Sequence, residues 1–179
     1  MKVLLIQSYT KNQFHIFPVG LAYIASAIKT DHEVRVLDMN AYREPWGKLR
    51  EKLKSFDPDV VGISFRNIDS TEYTGCESYY EDFIKAVKLI RGMKPAIKCI
   101  VGGSGFSIYA QYIMESVEGI DIGVYLEGEK IVQELLADID NAEKVKGCFF
   151  KDKKGGVIFT GGRNFGENEF LRPSYEFFD

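Results

Sequence analysis

Apolar and polar positions along this chain fall into short blocks that alternate between two periods. Lys2 to Gln7 (KVLLIQ) is an apolar run closed by Ser8-Tyr9-Thr10, the pattern of a buried strand. Pro18 suits the first turn of a helix, and Leu21, Ile24, Ala25 and Ile28 then fall at i, i+3, i+4 and i+7. Glu33 to Asp38 is a second strand, and Trp46 to Ser55 a polar, weaker helix. Pro58 breaks any helix before a third strand, Asp59 to Ser64. A helix is predicted from about Ser78 to Gly92, with Phe83, Val87 and Ile90 on its buried face. The fourth strand is Ile97 to Val101, followed by a helix around Tyr109 to Val117 and a fifth strand, Ile120 to Leu126. A last helix repeats Ile131, Leu135 and Ile139 every four residues.

Five apolar strands alternating with amphipathic helices predict parallel βαβ units with right-handed crossovers and helices on both faces. The fold class is therefore α/β: a doubly wound, five-stranded parallel sheet of the flavodoxin-like (Rossmann-type) kind. After it the chain changes character. Gly147 to Lys151 and Val157 to Thr160 predict a β-hairpin around Asp152-Lys153-Lys154-Gly155-Gly156. Gly161 to Asp179 has no period, and its Gly, Asn, Pro and aromatic residues read as a linker that docks on something else. Residues 1–146 are thus expected to form the α/β domain and 147–179 a hairpin and linker.

In open parallel sheets, ligands bind at the carboxyl ends of the strands. Four loops are expected there: Ser8 to Phe17, Phe65 to Gly75, Gly102 to Phe106, and Leu126 to Glu129. In Gly102-Gly103-Ser104-Gly105 the chain passes from strand to helix. Glycine there permits positive φ and close approach of backbone to a ligand, or simply a tight turn. Glu127-Gly128-Glu129 admits two readings in the same way, ligand contact or acidic capping of a helix N-terminus. Ser8-Tyr9 replaces the G-x-G-x-x-G that a dinucleotide site wants after the first strand, so Asp38 reads as a loop or capping residue rather than a ribose ligand. A Walker loop is absent, and so are the clustered acids of a Mg²⁺-binding receiver domain. Of the two histidines, His15 lies in the first ligand-facing loop and His32 in a polar turn.

Composition narrows the partners. The 179 residues are 45% hydrophobic and 27% charged, with a net charge of −3 and no basic stripe, which argues against nucleic acid. The apolar run of MKVLLIQSYT is too short for a signal peptide, and no stretch reaches the roughly 20 apolar residues of a membrane span. Cys76, Cys99 and Cys148 are odd in number and lack metal-ligand spacing, as expected of reduced thiols in a cytoplasmic protein. Cys99, within an apolar strand, is expected in the core.

FPVGLAYIASAI, FDPDVVGISFRNID, CIVGGSGFS and DIGVYLEGEKIVQELL, in that order and spacing, resemble the N-terminal cobalamin-binding domain of cobalamin-dependent radical SAM enzymes. The likeness runs from about Lys2 to Ile139. It implies a corrinoid laid across the C-terminal edge of the sheet, its nucleotide tail in a cleft beside the strands. Carried over, Ser64-Phe65-Arg66-Asn67 matches the segment that lies against the corrin and its tail. Gly102-Gly103, with Ser104 and Gly105, matches the glycine pair beside the tail, and Glu127-Gly128-Glu129 the family's G-E-G-E-like turn. Ser8, Tyr9, Phe17, Pro18 and Gly20 complete the expected cofactor-binding set from the first loop. Domains of the methionine-synthase type carry D-x-H-x-x-G there, whose His binds cobalt from below. The matching window here is His15 to Gly20, with Phe17 in the place of that His.

No C-x-x-x-C-x-x-C motif for an iron–sulfur cluster occurs, and Asp179 falls about where the resemblance would begin the catalytic barrel. The expectation is a piece of a longer protein: a module, itself without catalytic residues, that positions cobalamin for a radical SAM methyltransferase or cyclase. S-adenosylmethionine, a [4Fe-4S] cluster and a small-molecule substrate would then belong to the barrel domain as its partner. The alternative is a stand-alone α/β enzyme or binding protein for a small phosphorylated or nucleotide ligand. A cofactor-free domain that only mediates contacts is a third reading.

Overall fold

The computed structural model describes residues 1–11, 16–152, 154–163 and 172–178. Among them, a single seven-stranded sheet runs in the order β2-β1-β3-β4-β5-β6-β7. Strands β1 (Lys2–Gln7), β2 (Glu33–Asp38), β3 (Val60–Ser64), β4 (Lys98–Gly102) and β5 (Ile122–Val124) are mutually parallel, the doubly wound core that the alternating blocks predict. The order reverses at β1, which sits between β2 and β3. The hairpin β6 (Cys148–Lys151) and β7 (Val157–Phe159) forms as predicted; β6 adds antiparallel to β5 and so extends the sheet.

Helices α2 (Pro45–Ser55), α3 (Tyr80–Met93), α4 (Ser104–Ile108) and α5 (Ala110–Ser116) pack on one face, and α1 (Val19–Ile28) and α6 (Glu129–Ala137) on the other. Strand side chains alternate between the faces with period two. Leu4, Ile6, Val61, Ile63, Cys99 and Val101 therefore join the first layer, which also holds the fully buried Phe65, Tyr79, Phe83 and Phe106. Val3, Leu5, Val60, Ile100, Ile122 and Val124 join the second, against Leu21, Ala25, Ile28, Ile131 and Leu135.

Two elements differ from their expected form. The helix expected around Tyr109 to Val117 begins at Ser104 instead and is broken at Tyr109, whose φ of −125° and ψ of 31° are not helical. The chain turns straight from the glycines of β4 into α4. The final helix stops at Ala137, and Ile139 opens a 3-10 segment, Ile139–Lys144.

The described end of the tail docks on this same domain. The Ser174 amide donates to the Ala22 carbonyl at 3.0 Å, and the Val36 amide to the Phe177 carbonyl at 3.0 Å, with Phe178 bridging Val36 in parallel. The segment thereby covers the open edge of β2, where unpaired strand groups would otherwise invite pairing with another chain. Lys29 Nζ reaches both Ser174 Oγ at 2.8 Å and Glu176 Oε1 at 3.2 Å. Asn164 to Leu171, Lys153 of the hairpin turn and His15 lie outside the described residues.

No helix among the described residues is long and apolar enough to cross a membrane. Cys99 and Cys148 are buried and Cys76 is exposed, and burial pushes the thiols of Cys99 and Cys148 up to about 12. A thiol reacts as its thiolate. Alkylation of the native chain at pH 8, read by intact mass, is expected to give one adduct, at Cys76. Three are expected in denaturant, and rapid native labelling of Cys99 or Cys148 would contradict the packing described here.

Candidate functional site

The C-terminal ends of the parallel strands carry a crevice of about 190 Å³ between α1 and α6. It lies where the last row of the sheet on this face carries the small residues Ser64 and Gly102. Strand register aligns Leu5 with Gly62 and Ile100, and in the next row on this face Gln7 with Ser64 and Gly102. A glycine inside a strand lets a neighbour approach the backbone, and at Gly62 that neighbour is Leu5, whose Cδ2 lies 2.9 Å from where a Cβ would be. Leu5, Ile100, Val124 and Val132 make buried walls, with Leu21 and Ile24 from α1. The rim carries Leu126, which is exposed, together with Glu127 and Glu129.

Gly20 faces the mouth from the first turn of α1, and a Cβ added there would meet nothing within 4 Å. A Cβ at Gly102 would make only ordinary contact, 3.5 Å from Val124. Gly128 is different, since a Cβ would come within 2.9 Å of Ile24 Cδ1. This glycine lets α6 approach α1 closely.

The loops above the crevice are locked by backbone groups. The Phe65 amide donates to the Gly102 carbonyl at 2.8 Å, while the Gly105 and Phe106 amides donate back to Arg66 and Phe65 carbonyls at 2.7 and 3.0 Å. Ser104 Oγ adds a bond to the Arg66 carbonyl at 2.8 Å. Gly103 has φ of 102° and ψ of 166°, a region that only glycine adopts freely. A Cβ at Gly103 would lie 2.8 Å from the Phe65 carbonyl oxygen, and one at Gly105 2.9 Å from that of Arg66. Of the two readings that the glycines permit, the tight loop-to-loop contact accounts for 103 and 105, while Gly102 borders the crevice. Ser107 Oγ then donates to the Gly103 carbonyl at 3.0 Å and accepts the Leu126 amide at 2.9 Å, tying the β5 loop to α4. Leu126 is held there at φ 62°.

Of the residues expected to bind a cofactor, Gly20, Ser64, Gly102, Gly103, Glu127, Gly128 and Glu129 line the crevice together. The others lie around it. Ser8 is buried at the end of β1, its amide donating to the Ser64 carbonyl at 3.1 Å and its Oγ without a partner among the described residues. Tyr9 packs edge-on against Trp46, on the opposite face. Phe65 is buried and stacked on Phe83, with centroids 4.5 Å apart, whereas Arg66 is exposed and Asn67 half-buried. Pro18 precedes α1 and is buried. Phe17 is 42% exposed, and its ring lies 4.5 Å from that of Phe178 and 5.3 Å from that of Tyr175. It belongs to the tail contact, not to the crevice. Asp38 is a capping residue, as expected: its carboxylate accepts the Asn40 amide at 2.9 Å. Asn40 in turn donates to the Ser8 carbonyl and accepts from the Thr10 amide, which fixes the chain from Ser8 to Thr10.

The walls Leu5, Ile24, Ile100, Val124 and Val132, with Gly62 between them, are absent from the expected set. Their apolar character reads as core. Among the described residues, no cluster of His, Cys, Asp and Glu could hold a metal ion.

A model of the B12 binding domain family matches residues 10–136. TsrM of Kitasatospora setae, a radical S-adenosylmethionine methyltransferase solved with cobalamin and a [4Fe-4S] cluster, superposes with a TM-score of 0.79 at 26% identity, over 96% of this chain and 31% of its own. An uncharacterised methyltransferase of Pyrococcus horikoshii is 28% identical over 130 residues, 73% of this chain and 26% of its own length. The cobalamin-dependent S-adenosylmethionine radical enzyme OxsB shares the fold, with a TM-score of 0.70 at 17% identity, over 91% of this chain and 22% of its own. The chain thus spans less than a third of the length of each of these relatives.

The two kinds of glycine are expected to separate on substitution. Gly103→Ala should cost at least about 2 kcal/mol from strain and the clash with Phe65. Gly20→Leu, in an open helical position, should leave stability unchanged or raise it by up to about 1 kcal/mol. Urea unfolding followed by circular dichroism checks both, and equal midpoints would sink the distinction.

Proposed function

The chain belongs to the B12-binding domain family, and from that premise we propose that it holds a cobalamin across the C-terminal edge of its sheet, nucleotide tail in the crevice. One observation carries the reading: the glycine-bordered apolar crevice of about 190 Å³ at the strand ends. Pockets for drug-sized ligands run to roughly 300–1,000 Å³. A crevice below that range suits one bicyclic base rather than a whole corrinoid, which would spread over the loops outside. Gly20 and Gly102 are the positions where side chains would fill it.

The rival, a small phosphorylated or nucleotide ligand cradled by the glycine turn, calls for free backbone amides or cations. The Gly105 and Phe106 amides, however, already donate to the Arg66 and Phe65 carbonyls. No Lys or Arg lines the crevice among the described residues, and Glu127 and Glu129 stand at its rim. Phosphate would meet like charge there.

When bound, the corrinoid supplies a cobalt centre for group transfer or electron transfer. The residues of this chain bind and orient it. Ser64 offers a hydroxyl at the strand end, and the interlocked loops after β3, β4 and β5 give a rigid platform that needs little ordering on binding. We extend the reading to the parent protein. This chain is the cofactor module of a radical SAM methyltransferase or cyclase, whose barrel domain holds S-adenosylmethionine, the [4Fe-4S] cluster and the small-molecule substrate. The relation to TsrM, at 26% identity over 96% of this chain, supports that extension.

Isothermal titration of the folded chain with hydroxocobalamin is expected to show binding, and Gly20→Leu to weaken it at least tenfold without loss of stability. No heat and no co-elution at high micromolar cofactor would refute the proposal. Phe17 stands where a cobalt-binding His would be and has no lone pair to give. Electron paramagnetic resonance of the Co(II) form should accordingly lack nitrogen superhyperfine splitting, with wild type and His15→Ala alike. A nitrogen triplet lost in His15→Ala would show that the first loop supplies a ligand.

A further inference from the structure

Resting on the cobalamin reading above, we propose that the crevice selects among corrinoids by their lower base, accepting an apolar benzimidazole and discriminating against a purine. The two bases are similar in size, so volume does not separate them; polar atoms do. Dimethylbenzimidazole, away from cobalt, has one ring nitrogen in need of a partner and otherwise offers methyl and aromatic C–H surface. Adenine has the equivalent nitrogen, further ring nitrogens and an exocyclic amine. Each polar atom that enters an apolar site unpaired forfeits its hydrogen bonds to water.

The polar side chains of the lining are those of Ser64, Glu127 and Glu129. Its walls are the side chains of Leu5, Leu21, Ile24, Ile100, Val124 and Val132. Ser64 is the one hydroxyl among the lining residues. The glycine carbonyls of the lining each already hold a backbone amide, which leaves them weaker acceptors for an amine. The Gly102 carbonyl accepts from the Phe65 amide at 2.8 Å, that of Gly103 from the Ser107 amide at 2.9 Å, and that of Gly128 from the Val132 amide at 2.8 Å. Gly62 lies within the ladders to β1 and β4. The carboxylates of Glu127 and Glu129 belong to the loop at the rim, whereas Leu5, Ile100 and Val124 are at most 4% exposed. The benzimidazole thus exchanges water for apolar contact, and the purine leaves polar edges facing Leu5, Ile100, Val124 and Val132.

Discrimination by an apolar pocket against added polar groups is modest, on the order of 10- to 100-fold. The test titrates the intact chain with three corrinoids: cobalamin, the same corrinoid with adenine as its lower base, and cobinamide, which has no nucleotide tail. Cobalamin is expected to bind at least tenfold more tightly than either of the others. Equal affinity for the two bases, with cobinamide weaker, would overturn the selectivity while leaving cobalamin binding intact. Equal affinity for all three would overturn it because the tail then contributes nothing. Failure of all three to bind would instead remove the cobalamin reading, and the selectivity with it. Val132→Thr keeps the side-chain shape and adds a hydroxyl to the wall, so the preference for cobalamin over the adenine form is expected to narrow at least threefold. An unchanged ratio in folded Val132→Thr would count against the polar-atom argument.

Discussion

The upper edge of this domain depends on one close contact, the packing of the β4 loop backbone onto the backbone of Phe65 and Arg66. Atoms that approach this closely leave no space for a Cβ, and the chain must also adopt φ of 102° at residue 103. Glycine at 103 and 105 meets both conditions. With the loops in contact, the amides of Phe65, Gly105 and Phe106 find carbonyl partners, and α4 starts directly from the turn. Ser107 on α4 can then hold Leu126, which sets the rim of the crevice. A ligand platform made of loops is thus nearly as well determined as the sheet below it.

The two faces of the sheet make opposite use of their side chains. Under α2 to α5, aromatic rings make up much of the layer, with Phe65, Phe83, Phe106 and Tyr79 without solvent exposure. Under α1 and α6, the strand ends contribute Gly62, Ser64 and Gly102 instead. One face supplies cohesion, and the other leaves space at the end where strands and helices converge. That division lets the domain carry a gap in its packing without losing its core.

Period and punctuation made the five parallel strands, the flanking helices and the hairpin legible, since each depends on local alternation between apolar and polar residues. The start of α4 at Ser104 was not legible, because it follows from the glycine contact with Phe65, about forty residues away in the chain. The crevice walls were hidden for a related reason. Val132 and Ile100 look like any core residue until strand register places Gly62 and Gly102 beside them. Phe17 was expected near the cofactor from its place in a motif window, but its partners Tyr175 and Phe178 come from the far end of the chain. Exposed aromatics in an aperiodic tail read as a linker that docks on something else, whereas its described end docks on this same domain. The surface they cover, the β2 edge and α1, emerges only with the fold.

An apolar crevice between helices also interrupts the packing of the protein on itself. Its walls lack the dispersion contacts that a filled interior would provide. A ligand that binds the native state alone, present at a hundred times its dissociation constant, adds about 2.7 kcal/mol to stability. Differences of about 1–2 kcal/mol suffice to change the steady-state abundance of a protein in a cell several-fold. On the proposed function, the crevice between α1 and α6 couples how long the chain survives to the supply of cobalamin.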